Sequence, residues 1–406
     1  MSPSHLQLHI WDDARARAFE PFALTRPVSE LLAGAEIIRR RWERLVEARA
    51  AGFVAGAHLE HFEEGDAPGA SGMIPAGALV ANSRAIPSLG ASRPAAGVTR
   101  LECDGSLAAV VLAEELSASD LLGVERLEEL PIAPGDTATM DGRWLGYVWE
   151  LIGTLGEQIT EDAEALSREL AASRPVDAVI LGSHPVLVEA GARVEPMVCF
   201  DATDGPVLVR RGASVAAFSR LVGPTIIGED TQVLGGKVAV ASIGERCKVH
   251  GEVSNVVILG HSNKSHDGFV GYSYLGRWVN IGASSVTSNL KNTYGHVSLW
   301  TPEGQHDTGM QFLGTFFGDH VKIGIGTVCN TGSVLGAGAN VYGGATLPRV
   351  VPPFAWGDHA PFGVYELERF LVVAERVMQR RHVALTPGAR QQLAAAHAAR
   401  WTELLP

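Results

Sequence analysis

The chain of 406 residues has few cysteines, few cationic side chains and no long apolar run. Its 4 cysteines form no C-x-x-C pair and no metal-ligand spacing, which gives no support to a disulfide framework or a zinc site. A formal net charge of -12 argues against nonspecific binding to nucleic acid or to an anionic membrane. No segment reaches 18 uninterrupted apolar residues, and no basic stretch followed by an apolar run opens the sequence. We therefore expect a cytoplasmic protein without membrane insertion.

A spacing of six residues between apolar side chains runs through the second half of the chain. Two runs carry it: Val209, Val215, Leu221, Ile227 and Val233, and then Phe317, Ile323, Cys329, Leu335 and Val341. A period of six fits neither an amphipathic helix nor a plain strand. It fits a β-helix, in which each hexad supplies one short strand and one turn. The excess of glycine in the same region suits the positive φ of tight turns.

The domain organisation follows from this repeat and from the patterns on either side of it. Residues 1–143 are predicted to form an α/β domain, with a strand at 6–11, a helix at 35–48 and a short strand at 78–81. Apolar residues on one helical face predict a long linker helix within 144–178. The hexads predict a β-helix domain at 179–358, from which residues 290–316 depart as a loop. Residues 359–406 are predicted to form helices, one of them opened by Thr386 as N-cap.

A polar motif interrupts the repeat region. Residues 262–268 read S-N-K-S-H-D-G, the sequence N-I-G-A begins at Asn280, fourteen residues after His266, and Asn289 follows nine residues later. This spacing resembles that of the left-handed β-helix acyltransferases. The nearest likeness is to the bifunctional bacterial family that acetylates glucosamine-1-phosphate and then uridylylates the product to UDP-N-acetylglucosamine. A divergent group of sugar nucleotidyltransferase-like proteins shares this motif and an L-T-x-T-R-P-V-like segment, which corresponds to residues 22–28 here.

The resemblance implies a fold, an assembly and a set of site residues. The implied fold is a divergent, shortened nucleotidyltransferase-like α/β domain, a left-handed parallel β-helix and a C-terminal helical tail, assembled as a homotrimer. His266 would act as the general base that takes a proton from a sugar amine attacking the thioester of acetyl-CoA. The acceptor would be held by two amides and by lysines that neutralise its phosphate: Asn280, Asn289, Lys291, Lys264 and Lys237.

Each of these residues also has a purely structural interpretation. His266 is one of 14 histidines and lies at an expected coil turn. Asparagine tolerates the left-handed turn geometry that a β-helix needs. An exposed lysine on a loop is most often simply solvated. Asp267 is a further candidate, as a residue that orients the His266 ring, although sequence neighbours on a strand point to opposite faces.

The N-terminal half carries a weaker signal for phosphate binding. Thr25 and Arg26 resemble part of the family's nucleotide-binding loop, but its glycines are missing and no lysine precedes Lys237. An ion pair between Arg26 and a nearby carboxylate such as Glu30 is the alternative interpretation. Two acidic residues after the first predicted strand, Asp12 and Asp13, suit Mg²⁺ bound with a nucleotide, or else capping of a turn.

Three functions remain open from the sequence. The first is CoA-dependent N-acetyl transfer to an amino-sugar phosphate such as glucosamine-1-phosphate, with an N-terminal domain that binds a sugar nucleotide. The second is an NDP-sugar pyrophosphorylase whose β-helix serves only trimerisation, and the third is a non-catalytic scaffold that binds a sugar nucleotide. We expect chemistry where the hexads lapse, between Leu259 and Leu275 and again after Asn289.

Overall fold

The computed structural model describes residues 6–175 and 177–401. Its N-terminal part is built around a six-stranded mixed sheet with the order β11-β8-β9-β6-β1-β4. The strands of this part are β1 (Leu8–Trp11), β2 (Leu32–Ala33), β3 (Glu36–Ile37), β4 (Ala50–Val54), β5 (Met73–Ile74), β6 (Leu79–Asn82), β7 (Ala85–Pro87), β8 (Val98–Cys103), β9 (Ser106–Val111), β10 (Leu116–Ser117), β11 (Asp136–Thr139) and β12 (Gly142–Trp144). Its helices are α1 (Ile38–Val46) and α2 (Ala118–Leu122), with short 3-10 turns at Ala16–Ala18, Val28–Glu30, Ala57–Leu59 and Leu127–Glu129.

Strand β1 lies in the middle of this sheet and pairs in parallel with β4 and β6. All four of its residues are buried, because the sheet is covered on both faces. The predicted helix at 35–48 is present as α1, which begins later than expected because residues 36–37 pair with β2. The carboxyl ends of β1, β4 and β6 meet at one edge of the sheet, where a parallel α/β sheet binds its ligands.

The second half is a parallel β-helix, as the hexads predict. Its strands are β13 (Ala172–Ser173), β14 (Val179–Gly182), β15 (Val186–Glu189), β16 (Arg193–Val194), β17 (Cys199–Ala202), β18 (Val207–Val209), β19 (Ser214–Val215), β20 (Ser219–Ile227), β21 (Gln232–Val233), β22 (Gly236–Glu245), β23 (Lys248–Val249), β24 (Glu252–Gly260), β25 (Asn263–Lys264), β26 (Gly268–Arg277), β27 (Asn280–Ile281), β28 (Ser285–Thr287), β29 (Ser298–Thr301), β30 (Gly304–Asp307), β31 (Thr315–Phe317), β32 (Lys322–Ile323), β33 (Val328–Cys329), β34 (Ser333–Leu335), β35 (Asn340–Val341), β36 (Val350–Val351), β37 (Ala355–Gly357) and β38 (Gly363–Val364). A 14-stranded and a 10-stranded sheet form its walls.

The hexad residues point into the β-helix and form its core. Every member of the two five-residue runs is at most 3% exposed. In the 10-stranded sheet, Val215 pairs with Val233 and Val233 with Val249, so that one interior column of side chains crosses successive coils. Burial of these aliphatic side chains, at about 25 cal/mol per Å² of apolar surface, stabilises a stack of strands too short to persist alone.

The expected lapse of the hexads around His266 is wrong. Ile258, Lys264 and Val270 follow one another at steps of six, and all three are at most 1% exposed. Lys264 pairs with Val249 in the interior column, in which Ile281 and Ile323 occupy the following coils. The repeat therefore continues through the motif, with a lysine in a position that the neighbouring coils fill with aliphatic residues.

The predicted linker helix at 144–178 is also wrong in its extent. Helices α3 (Glu150–Gly153) and α4 (Leu155–Ser167) form instead, and they are separated at Thr154. Trp144 belongs to β12, and the Glu150 carboxylate accepts a hydrogen bond from the Gly146 N–H at 2.6 Å, which holds an open turn before the helix. The apolar spacing extends past α3 because this strand and turn pack on the same core.

The expected loop at 290–316 does leave the coil stack. It contains the antiparallel hairpin β29–β30, and the coils resume at β31. The C-terminal helices are also present, as α5 (Leu367–Gln379) and α6 (Pro387–Ala399), and the Thr386 side chain caps α6 through the Ala389 N–H at 3.1 Å.

The N-terminal part and the β-helix share one hydrophobic core. Phe22 packs on Tyr274 of the β-helix with ring centroids 4.6 Å apart. The Tyr274 hydroxyl accepts a hydrogen bond from the Leu32 N–H at 2.8 Å and donates one to the Leu32 carbonyl at 3.1 Å. Residues 19–34 are therefore packed against the flank of the β-helix. In the part of the chain that the structure describes, no helix is long and apolar enough to cross a membrane.

Candidate functional site

His266 lies at an exposed turn of the β-helix, two residues after Lys264. This turn is held between those of the neighbouring coils, because the His250 N–H donates to the Lys264 carbonyl at 2.7 Å and the Ser284 N–H donates to the Asp267 carbonyl at 2.8 Å. Among the described residues, the His266 imidazole has no hydrogen-bond partner. An exposed imidazole without a partner is free to accept a proton from a bound substrate.

Asp267 does not orient the His266 ring in this chain. Its side chain is 87% exposed, and its Oδ1 lies 3.3 Å from Nδ1 of His250 in the preceding coil. The Asp267 carboxylate thus contacts His250, and among the described residues no hydrogen bond joins it to the His266 ring.

Large apolar side chains are exposed along the same edge of the β-helix as His266. Each follows a strand of the 10-stranded sheet by one to three residues, as His266 follows β25. They are Met197 (64% exposed), Phe218 (74%), Leu234 (40%), Ile325 (73%) and Tyr342 (43%). Met197 and Phe218 also adopt a positive φ, of 66° and 64°. His266 follows β25, whose coil lies between the coils of Leu234 and Ile325.

Asn280 lies one coil beyond Asn263, beside a small cavity of about 210 Å³ beneath α5. Its Oδ1 accepts a hydrogen bond from Asn263 Nδ2 at 3.3 Å, and Asn263 in turn accepts from Arg381. Lys322 lines the same cavity, and burial lowers its pKa to about 7. Asn280 therefore lines a cavity to which His266 does not contribute.

Asn289 and Lys291 lie at the start of the inserted segment. A Cβ on Gly271 would overlap the Phe269 ring and lie 2.9 Å from Asn289 Nδ2, so the ring and the amide both pack over this glycine. Phe269 and Asn289 are thus neighbours on the two successive coils that follow His266. The Lys291 ammonium donates to the carbonyl of His296 within the same inserted segment.

The other two lysines predicted to bind phosphate have different surroundings. Lys237 is 49% exposed and lies 3.6 Å from Glu252, in the register column that continues to Phe269. Lys264 is only 1% exposed, and its ammonium donates to the carbonyls of His250, at 2.8 Å, and His266. This buried ammonium is not accessible to a phosphate, so the prediction that Lys264 binds the acceptor phosphate is wrong.

Thr25 and Arg26 are buried at the junction between the N-terminal part and the β-helix. The Thr25 hydroxyl and the Arg26 Nε both donate to Oδ2 of Asp319, each at 2.8 Å. The other arm of Arg26 makes a bidentate ion pair with Glu64 at 3.0 and 3.1 Å. Two carboxylates thus neutralise the Arg26 guanidinium, and it is not available to a nucleotide phosphate. The ion-pair alternative is the correct one, with partners other than Glu30.

A cleft of about 460 Å³ opens above this junction, between the N-terminal part, the β-helix and the C-terminal helices. Glu64 lies between Arg26 and Arg277, whose Nε is 2.9 Å from Glu64 Oε1. Burial alone would raise the pKa of Glu64, but Arg26 and Arg277 outweigh it and lower that pKa to about 2. The floor of the cleft therefore consists of charges that already neutralise one another.

Sequence reasoning missed the residues of this cleft. Burial and the charge on Arg277 lower the pKa of His261 to about 4, and burial lowers the pKa of His320 well below its ordinary value. His261, Trp278 and His320 occupy equivalent turns of three successive coils, all with positive φ. The sequence did contain a signal for these turns, because bulky residues stand at positions where glycine or asparagine is usual.

Asp12 and Asp13 do not fit a magnesium site. The Asp13 carboxylate accepts from Arg84 Nη2 at 2.6 Å, from Asn82 at 2.9 Å and from the Ala16 N–H at 2.8 Å, which is the capping alternative. Burial raises the pKa of Asp12 to about 7, although a hydrogen bond from the Val28 N–H opposes this rise. Within the described ranges, no three His, Cys, Asp or Glu side chains form a group able to hold a metal ion.

A comparison with protein families bears on the N-terminal part. Residues 8–171 match the family model described as sugar nucleotidyl transferase. The N-terminal domain has its counterpart in this family. The resemblance stated from the sequence is thereby confirmed, and the matched residues include both the Thr25–Arg26 segment and helix α4.

The curated relatives are transferases, in agreement with the enzyme class expected from the sequence. A bifunctional sugar-1-phosphate nucleotidylyltransferase/acetyltransferase of Sulfurisphaera tokodaii is 34% identical over 100 residues, which is 25% of each chain. The bifunctional protein GlmU of Azoarcus sp. is 30% identical over 182 residues, or 44% of this chain and 32% of the relative. The matches thus span only a quarter to a third of these relatives.

The solved structures with some likeness to this chain are hexapeptide-type transferases. A hexapeptide transferase family protein from Anaplasma phagocytophilum is 14% identical, with a TM-score of 0.24 over 55% of this chain and 98% of that one. An Arabidopsis UDP-N-acetylglucosamine acyltransferase is 14% identical, with a TM-score of 0.18 over 51% of this chain and 74% of that one. The β-helix assignment rests instead on the strand pairing described above.

Proposed function

We propose that this protein transfers an acetyl group from acetyl-CoA to the amine of an amino-sugar phosphate such as glucosamine-1-phosphate. The observation that carries the proposal is the His266 imidazole, which is exposed and lacks a partner among the described residues, at the turn where the family's motif puts its base. Two curated relatives, both described as bifunctional and one of them as an acetyltransferase, support the same class of reaction.

In the proposed reaction, His266 accepts a proton from the sugar amine as the amine nitrogen bonds to the thioester carbonyl carbon. The carbon–sulfur bond then breaks, and the sulfur leaves as the CoA thiolate, which takes up a proton. Asn289 is assigned to the acetyl side of this site because it packs beside Phe269, and Lys291 and Lys237 to the acceptor phosphate. General-base catalysis of this kind contributes ~10²–10⁴-fold to a rate.

The proposed enzyme is a homotrimer, with His266 facing a neighbouring subunit. The support is the row of exposed apolar residues that follows the His266 edge, from Met197 to Tyr342. A single β-helix edge offers little enclosure for an acceptor and acetyl-CoA, whereas a second subunit against this row encloses them. Water excluded from such a site strengthens its electrostatic interactions.

A pyrophosphorylase is the second candidate, and the match of residues 8–171 favours it. The geometry opposes this function. The Arg26 guanidinium is paired with Asp319 and Glu64, and the Asp13 carboxylate is paired with Arg84, so these groups do not face a nucleotide or Mg²⁺. We therefore propose that the N-terminal domain binds a sugar nucleotide but does not catalyse nucleotidyl transfer.

Two assays on the same preparation separate the three readings. Thiol release from acetyl-CoA is measured with a panel of amino-sugar phosphates, and pyrophosphate release is measured from UTP and sugar-1-phosphates with Mg²⁺. We expect thiol release with at least one amino-sugar phosphate and none with its N-acetylated form, which lacks the nucleophile. Pyrophosphate release alone would overturn the proposal in favour of the second reading, and silence in both assays would favour the scaffold.

A further inference from the structure

The chain contains five lysines, all between residues 237 and 322, and one of them is inside the β-helix. Lys264 occupies the interior column otherwise filled by Val233, Val249, Ile281 and Ile323. A buried ammonium is costly unless its hydrogen bonds compensate for the lost water. A residue that breaks the local packing rule in this way is expected to serve a function.

The ammonium of Lys264 donates two of its three N–H groups to backbone carbonyls of neighbouring turns. It donates to the carbonyl of His250 at 2.8 Å and to the carbonyl of His266 itself. A Cβ added to Gly251 would lie 3.0 Å from Nζ, so the glycine also leaves room for the ammonium. Burial lowers the pKa of Lys264 to about 8, which Asp267 partly opposes.

These contacts link two neighbouring coil turns through one side chain. The His250 N–H donates to the Lys264 carbonyl at 2.7 Å, while the Lys264 ammonium donates back to the His250 carbonyl. The turn that carries His266 is thus fixed to the preceding coil at two points. In the other coils of this column an aliphatic side chain gives packing but cannot hold a turn carbonyl.

We propose that Lys264 is the positioning residue of the His266 turn, which it fixes by holding the carbonyls of His250 and His266. This role rests on the proposed function of His266 as the base. It replaces the phosphate-binding role suggested by the sequence. A base must keep its geometry to a fraction of an ångström, and residues that lock a turn from behind serve that purpose.

The test is Lys264→Met, because methionine fits an aliphatic column and carries no donor. We expect the melting temperature of this variant to lie within ~5 °C of the wild-type value. Amide hydrogen exchange at residues 263–268 and 248–251 should be at least ~10-fold faster. The kcat for acetyl transfer should be at least ~10-fold lower, with unchanged KM. Ile323→Met, in the same column two coils away, is the control and should leave kcat and this exchange unchanged.

A folded Lys264→Met variant with wild-type exchange and kcat would overturn the positioning role. If that variant does not fold, Lys264→Gln replaces it, since one amide donor remains, and exchange and kcat should then be intermediate. Wild-type values in Lys264→Gln would equally refute the role. Failure of the proposed function is distinguishable, because it would appear as unchanged turnover in His266→Ala, whereas hydrogen exchange reports on the Lys264 contacts without any activity.

Discussion

The Nε atom of Arg26 lies 2.8 Å from Oδ2 of Asp319, and this buried ion pair joins the N-terminal domain to the β-helix. Both side chains are at most 3% exposed. The resemblance assigns the Thr25–Arg26 segment to a nucleotide, but in this fold it serves as an interdomain contact. Its partner residue lies 293 positions away in sequence.

Removal of one partner of this pair should destabilise the whole chain. Asp319→Asn leaves the buried Arg26 guanidinium with one of its two carboxylate partners. Loss of one partner of a buried ion pair costs about 3–5 kcal/mol in the free energy of unfolding. Urea unfolding measures the free energy. The control is Arg126→Gln, whose ion pair with Glu129 is exposed and should contribute less than about 0.5 kcal/mol. An equally small effect for both variants would contradict the interdomain role of Asp319.

Glu64 should make stability depend on pH in the acid range. Its pKa in the folded chain is lowered to about 2, so its contribution is complete above the ordinary value of 4.5 and is lost as pH falls from 4.5 towards 2. We expect a loss of the order of 2 kcal/mol over this range. Glu64→Gln should be less stable at pH 6 and should flatten this acid limb of the urea-unfolding profile.

Glu20 provides the control with the opposite sign. Burial raises its pKa to about 7, so the folded chain retains a proton that the unfolded chain releases above pH 4.5. Its effect is therefore a loss of stability as pH rises from 4.5 to 7. Glu20→Gln should remove this loss and leave the acid limb intact. Identical profiles for the Glu64→Gln variant and wild type below pH 4.5 would refute the assignment to Glu64.

The exposed apolar edge should mediate self-association. Phe218 is 74% exposed at a positive φ, so Phe218→Asp adds a charge to the proposed interface without disturbing the core. Sedimentation velocity should show three chains per particle for wild type and single chains for this variant. Met73→Asp, at a 55% exposed apolar residue of the N-terminal domain, is the control and should remain trimeric. A monomeric wild type would contradict the proposed assembly.

The sequence was most informative where one feature repeats. The β-helix could be predicted because ten apolar residues recur every six positions and each one is buried. The same step of six from Ile258 to Val270 also identifies Lys264 as an interior residue, although its polar character disguised this. By contrast, the junction of Arg26, Glu64 and Asp319 could not be predicted, because single contacts between distant residues leave no periodic pattern.

The boundaries of elements were less predictable than their existence, for a physical reason. Trp144 and Leu151 lie on one apparent helical stripe, yet a strand and a turn capped by Glu150 separate the first from the second. Both side chains pack on the same shared core. The apolar pattern shows that they face this core, but it does not show which backbone conformation each residue adopts. At the motif around His266, the spacing identified a turn, but it could not show that the Asp267 carboxylate lies beside His250 of the preceding coil.

The central claim is that His266 is the base of an acetyl transfer, and the kcat of His266→Ala tests it most directly. Thiol release from acetyl-CoA is followed with the best amino-sugar phosphate of the panel, beside His359→Ala, a control at a histidine whose side chain is 77% exposed and which lies four coils further along the β-helix. We predict a fall in kcat of ~10²-fold or more for His266→Ala and none for the control. A folded His266→Ala enzyme with wild-type turnover would contradict the account.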